Sequence, residues 1–78
     1  MKILLLEDEE MLKSAIEEYL ETLRHHVKSF TNAQKVYAML QEEAFDLLVL
    51  DINTPKMSGL ALLKALNDCG LQKPTIFI

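Results

Sequence analysis

Two short apolar runs each stop at acid. Lys2-Ile3-Leu4-Leu5-Leu6 ends at Glu7-Asp8, and Phe45-Asp46-Leu47-Leu48-Val49-Leu50 ends at Asp51. Runs this short cannot form a packed helix. Their nearly continuous apolar character fits strands covered on both faces, as in the middle of a parallel sheet. Parallel strands point the same way, so acids that end two neighbouring strands meet at one edge of the sheet. Like charges packed so closely demand a cation or a chemical task.

The rest of the chain supplies the helices that such a sheet needs. From Glu9 to Arg24, Leu12, Ala15, Ile16, Tyr19, Leu20 and Leu23 recur at helical spacing, with Lys13, Glu17, Glu18 and Glu21 opposite. Glu9 and Glu10 fall in the first turn, where the helix dipole favours negative charge. His25-His26 reads as a connection and Val27–Phe30 as an edge strand. Thr31 and Gln34 have the spacing of a capping box, opening a second helix with Val36, Tyr37, Leu40 and Ala44 on one face. Asp46 to Leu50 forms the third strand. The segment 53–59 is a loop in which Pro55 fixes φ and Ser58 caps a third helix, which presents Leu60, Leu63 and Leu66 with Leu62 flanking. Cys69-Gly70 stops that helix, and Thr75-Ile76-Phe77-Ile78 is a fourth strand.

The alternation strand-helix-strand-helix-strand-helix-strand predicts an α/β fold: a doubly wound parallel sheet with right-handed crossovers and helices on both faces. In such sheets the site lies beyond the carboxyl ends of the strands, where the strand order reverses. Sequence alone places Glu7, Asp8 and Asp51 there.

Composition excludes several classes. Seventy-eight residues with 50% apolar and 26% charged side chains make one small globular unit, not a disordered one. A net charge of −4 argues against nucleic-acid binding by this segment, since phosphate contacts need clustered cations. Cys69 has no second cysteine to pair with, which suits a reducing, cytoplasmic setting. The apolar run after Lys2 is far too short for a signal peptide or a membrane span.

Three ionised carboxylates at one sheet edge suit a hard divalent cation. Mg²⁺ takes one or two carboxylates, a carbonyl and waters, together with phosphate oxygens of a substrate. A carboxylate beside it can attack phosphorus and form an aspartyl phosphate. Taken singly, Asp8 reads equally as a helix cap, Glu7 as a solvated loop acid and Asp51 as a turn residue. The three together at adjacent strand ends favour the chemical reading.

These segments resemble the receiver domain of bacterial two-component response regulators. The resemblance rests on residues 3–9 (Ile-Leu-Leu-Leu-Glu-Asp-Glu), on Leu48-Val49-Leu50-Asp51 followed by Pro55 and Gly59, and on Lys73-Pro74-Thr75-Ile76-Phe77-Ile78. It implies a flavodoxin-like, CheY-like fold with strands in the order 2-1-3-4, residues 1–78 being the N-terminal part of the domain. It implies Asp51 as phosphoacceptor from a sensor histidine kinase. The metal ligands would be Asp8 and Asp51 through carboxylates, Asn53 through its backbone carbonyl and Glu7 through a water, holding Mg²⁺. The Glu before Asp8 points toward a DNA-binding transcriptional regulator as parent. Family receivers carry a fifth strand, with a Thr or Ser and a Lys near the phosphoryl group, beyond the segment matched here.

Two other classes compete. A phosphatase of the haloacid dehalogenase type would need a second acid where Asn53 stands, and Asn cannot titrate. A structural or dimerisation module would keep the fold without the chemistry. The apolar fourth strand is expected to self-associate, by edge pairing or by exchange of elements. His25 and His26 are expected to be solvated, and Cys69 to be a small buried apolar residue.

Overall fold

The computed structural model describes residues 1–52, 59–71 and 73–78. The elements in chain order are β1 (Lys2–Leu6), α1 (Glu10–Thr22), β2 (His26–Phe30), α2 (Ala33–Glu42), β3 (Leu47–Leu50), α3 (Gly59–Asp68) and β4 (Thr75–Phe77). The strands form one parallel sheet in the order β2-β1-β3-β4. The chain runs outward from β1 to β2, then crosses back to β3, so the strand order reverses between β1 and β3.

Alternation along the strands divides the core into two layers. Leu4, Leu6, Leu48 and Leu50 face α2 and α3, where Ala33, Val36, Leu40, Leu62 and Leu66 close over them with Phe45. Ile3, Leu5, Val27 and Val49 face the other way, toward Ile16 and Leu20 of α1. Leu4, Leu5 and Leu6 are completely buried, which is why β1 lacks the polar alternation of a half-exposed strand. In register, Leu6 stands between Phe30 of β2 and Leu50 of β3.

Several local expectations are corrected. His26 lies inside β2 rather than in the connection, because its N–H donates to Met1 O at 3.0 Å and extends the ladder by one residue. Asn32, not Thr31, caps α2: its side chain accepts from the N–H groups of Gln34 and Lys35 at 2.7 and 3.4 Å. The buried stripe of α3 is Leu62 and Leu66, one turn apart, whereas Leu60 is 57% exposed. Cys69 is exposed and not buried; its Sγ donates to Ala65 O at 3.2 Å and accepts from the Tyr37 hydroxyl at 3.5 Å. In α1 half of the expected apolar face is left open: Ile16 and Leu20 pack, but Leu12, Tyr19 and Leu23 are exposed. The expected loop roles of Pro55 and Ser58 lie outside the described residues.

Two helices end alike. At the end of α3, Gly70 has φ +76°, Leu71 N–H reaches Leu66 O at 2.9 Å and Gly70 N–H reaches Asn67 O at 3.3 Å, the paired bonds of a Schellman cap. At the end of α1, His25 N–H to Leu20 O and Arg24 N–H to Glu21 O repeat the pattern, but the left-handed residue is Arg24, φ +68°. A side chain there strains the backbone in a way that glycine does not.

Away from the acidic end, charge locks the connections to the sheet. The two Glu43 oxygens lie 2.9 Å from Lys2 Nζ and 2.9 Å from Lys28 Nζ, and Lys2 Nζ sits 5.0 Å above the Phe45 ring. Lys2 N–H donates to Asp46 Oδ2 at 2.7 Å, and Asp46 N–H donates to Lys2 O at 2.7 Å. The start of β1 is thereby tied to the residues leading into β3. The ammonium partners hold the Glu43 carboxyl below the usual carboxylate value.

Three outcomes follow for stability. Leu48→Ala removes a fully buried side chain and should lower urea unfolding stability by about 2–5 kcal/mol, against no more than about 0.5 kcal/mol for Leu12→Ala. Arg24→Gly should raise stability by about 0.5–1 kcal/mol by relieving the left-handed residue. Glu43→Gln should lower the melting temperature, with the loss shrinking as salt is added.

Candidate functional site

Backbone hydrogen bonds build the site before any side chain does. Glu7 N–H donates to Phe30 O at 3.0 Å and Asp51 N–H donates to Leu6 O at 2.9 Å. The residues that follow β1 and β3 therefore stay in register after the strands end, and Glu7 and Asp51 emerge side by side. Asp8 follows at the turn into α1. One carboxylate oxygen from each of Glu7, Asp8 and Asp51 lies within 4.8 Å of the others. The three acids singled out in the sequence are thus brought together. Asn53 lies outside the described residues.

The three differ in setting: Glu7 is buried, Asp51 half-buried and Asp8 exposed. Glu9 N–H, at the mouth of α1, donates to Glu7 Oε2 at 3.2 Å and so orients that carboxylate. Asp8 is not the helix cap: that position belongs to Glu9, whose side chain makes no capping bond. The role of Glu9 escaped sequence reasoning, because a backbone N–H contact two residues away leaves no trace in side-chain pattern.

Glu7 carries the electrostatic strain of the cluster. Burial is the largest cause raising its pKa to about 7, the Glu9 N–H opposes it, and hydrogen bonds with the Asp51 and Asp8 carboxyls and the Asp51 charge raise it further. Two full charges at the observed 4.8 Å limit repel by roughly 3 kcal/mol at an effective dielectric near 20. A proton on Glu7 or a cation among the three groups relieves that cost.

The donor set fits a hard divalent cation. All three ligand atoms are carboxylate oxygens, the type preferred by Mg²⁺. The three oxygens lie within 4.8 Å of one another, close enough for one ion to be reached by all of them after side-chain adjustment. Asp51 and Asp8 are accessible enough to meet an ion and a second reactant. The arrangement can therefore hold a cation and present the Asp51 carboxylate beside it.

The comparisons with known proteins agree with this geometry. The family model described as "Response regulator receiver domain" matches residues 3–78. The chain is 41% identical over 78 residues to the transcriptional regulatory protein CrdR of Helicobacter pylori, covering 99% of this chain and 37% of that protein. The non-phosphorylated HemR receiver domain of Leptospira biflexa superposes with a TM-score of 0.87 at 30% identity, over 97% of this chain and 61% of that one. TrrA of Thermotoga maritima, solved in complex with Mg²⁺-BeF, has the same fold, with a TM-score of 0.90 at 22% identity over 97% of this chain and 66% of that one. The chain spans between about a third and two thirds of the length of the curated relatives it matches. With its flavodoxin-like strand order and a family match running from β1 through β4, the chain belongs to the response regulator receiver family of two-component signalling.

Proposed function

We propose that Asp51 is the phosphoacceptor of this receiver and that Glu7, Asp8 and Asp51, with the backbone carbonyl of Asn53, hold Mg²⁺. The observation that carries the reading is the convergence of three carboxylate oxygens within 4.8 Å at the carboxyl ends of β1 and β3. The donor is a sensor histidine kinase. An Asp51 carboxylate oxygen attacks the phosphorus of its phosphohistidine, a P–O bond forms as the P–N bond breaks, and the leaving imidazole takes up a proton. Bound Mg²⁺ supplies charge neutralisation on the transferring phosphoryl group.

The residues of the chain contribute position and charge. Backbone pairing to Leu6 fixes Asp51 against the neighbouring strand, so the nucleophile stands beside the acids with little freedom to lose. Asp8, exposed, would offer its carboxylate to the ion from the solvent side, and Glu7, buried and oriented by Glu9 N–H, would offer negative charge from the inner side. The role is phosphoacceptor signalling rather than turnover. No helix among the described residues is long and apolar enough to cross a membrane. A cytoplasmic location, a DNA-binding transcriptional regulator as parent and no nucleic-acid contact by this acidic segment complete the reading. CrdR, named as a transcriptional regulator, supports the parent.

The direct test is incubation with Mg²⁺ and a phosphorylated kinase or a small phosphoramidate donor, followed by intact-mass measurement. One added phosphoryl group is expected, absent in Asp51→Asn and labile to hydroxylamine; unchanged labelling of Asp51→Asn refutes the assignment. Asp8→Asn should weaken Mg²⁺ binding at least as much as the roughly 10–100-fold typical of outer-shell changes, measured by titration calorimetry.

The proton on Glu7 sets the pH dependence. Its folded pKa of about 7 stands above the ordinary 4.5, so its contribution to stability is whole below pH 4.5 and is lost as pH rises through 7. In chelator, urea unfolding should show a loss of about 2–3 kcal/mol between pH 5 and pH 8.5 from this group. Glu7→Gln should remove that loss. Mg²⁺ competes with the same proton, so its affinity should fall as pH drops below 7, less steeply in Glu7→Gln.

A further inference from the structure

Glu9 meets the acidic site through its backbone, not through its side chain. The side chain is exposed and makes no capping bond at the start of α1. The backbone is committed on both sides: Glu9 O accepts from Lys13 N–H at 2.8 Å, and Glu9 N–H donates to Glu7 Oε2 at 3.2 Å. The first N–H groups of a helix have no partner inside it, so this donor is available to Glu7 without loss to α1.

Glu7 is correspondingly held at both ends. Its own N–H donates to Phe30 O at 3.0 Å, the residue is 5% exposed, and Oε2 is tied to the turn two residues on. To offer both oxygens to one ion, this carboxylate has to rotate away from Glu9 and give up a hydrogen bond to charge. Cations differ in how much that matters. Mg²⁺ demands a near-ideal octahedron and keeps several waters, whereas Ca²⁺ takes more oxygens and accepts a carboxylate through both of them.

We propose that the Glu9 N–H restricts Glu7 to single-oxygen coordination, directly or through a water, and so sets the preference of this site for a small octahedral cation over Ca²⁺. Glu9 is a positioning residue, and its part is played by the main chain. Side-chain changes at this position leave that part intact; only loss of the N–H removes it. The inference rests on the reading of Glu7, Asp8 and Asp51 as an Mg²⁺ site and adds to it the origin of ion choice.

Proline removes the N–H. The φ of Glu9 is −86°, near the proline value of about −65°, and proline is tolerated where a helix begins. Titration calorimetry at pH 8.5, above the Glu7 pKa of about 7, compares Mg²⁺ with Ca²⁺ on the parent, Glu9→Ala and Glu9→Pro. Glu9→Pro should lower the ratio of Mg²⁺ to Ca²⁺ affinity about tenfold, the scale of one hydrogen bond to a charged group. Glu9→Ala keeps the N–H and should hold the ratio within about twofold of the parent. In a Glu7→Gln background the same proline should leave the ratio unchanged, since no carboxylate remains to rotate. Circular dichroism establishes that each variant is folded. In the unsubstituted chain, exchange of the Glu9 amide followed by NMR should be as slow in saturating Mg²⁺ as without an ion, and faster in saturating Ca²⁺. That measurement does not depend on proline being accepted. An unchanged ratio in Glu9→Pro, an equal fall in Glu9→Ala, a fall that persists without the Glu7 carboxylate, or a Glu9 amide indifferent to Ca²⁺ would each overturn the proposal and leave the Mg²⁺ site standing. A parent that binds neither ion would overturn both.

Discussion

Burial of β1 on both faces is the constraint on which the remaining structure depends. Leu4, Leu5 and Leu6 are excluded from water, and each layer of helices exists because one side of this strand has to be covered. Paired on both sides, β1 leaves no backbone group to solvent along its length and fixes β2 and β3 in register with one another. The acidic site is a by-product of that register. Where the apolar run stops, the ladder continues for one more residue on each side, and Glu7 and Asp51 are delivered side by side. Fold and site are one event, because the same hydrogen bonds that finish the core position the carboxylates.

The two layers are unequally finished. On one side two helices close over a large cluster; on the other α1 alone covers β1 and β2, and none of its residues is buried. Open apolar surface consequently remains on α1 and on the α1 side of β4. Burial and the two neighbouring carboxyls hold the Glu7 pKa well above the ordinary carboxylate value.

Much of this was legible in the residues. Element order, sheet direction, the site edge and its three acids could be read because each depends on local pattern: apolar runs, helical spacing, and acids at run ends. The misses share one cause. Thr31 and Asn32 both have capping side chains, and only the φ/ψ of the chain as it enters α2 selects Asn32. Leu60, Leu62, Leu63 and Leu66 are alike in composition, so the face of α3 turned inward was decided by how the helix lands on the sheet. His26 joined β2 because β1 had a bonding partner to offer at Met1.

By itself the sequence determined the kind of fold and the meeting of Glu7, Asp8 and Asp51, because its alternating hydrophobic periods fit a parallel sheet that sends the ends of β1 and β3 to a common edge. Only the tertiary structure decided the inequality among the acids. Glu7 is buried, with its pKa raised to about 7, Asp8 faces water, and Asp51 lies between, distinctions set by strand register and by one N–H of Glu9. The physical reason is that charge and chemistry belong to residue type, whereas desolvation and distance belong to the packed chain.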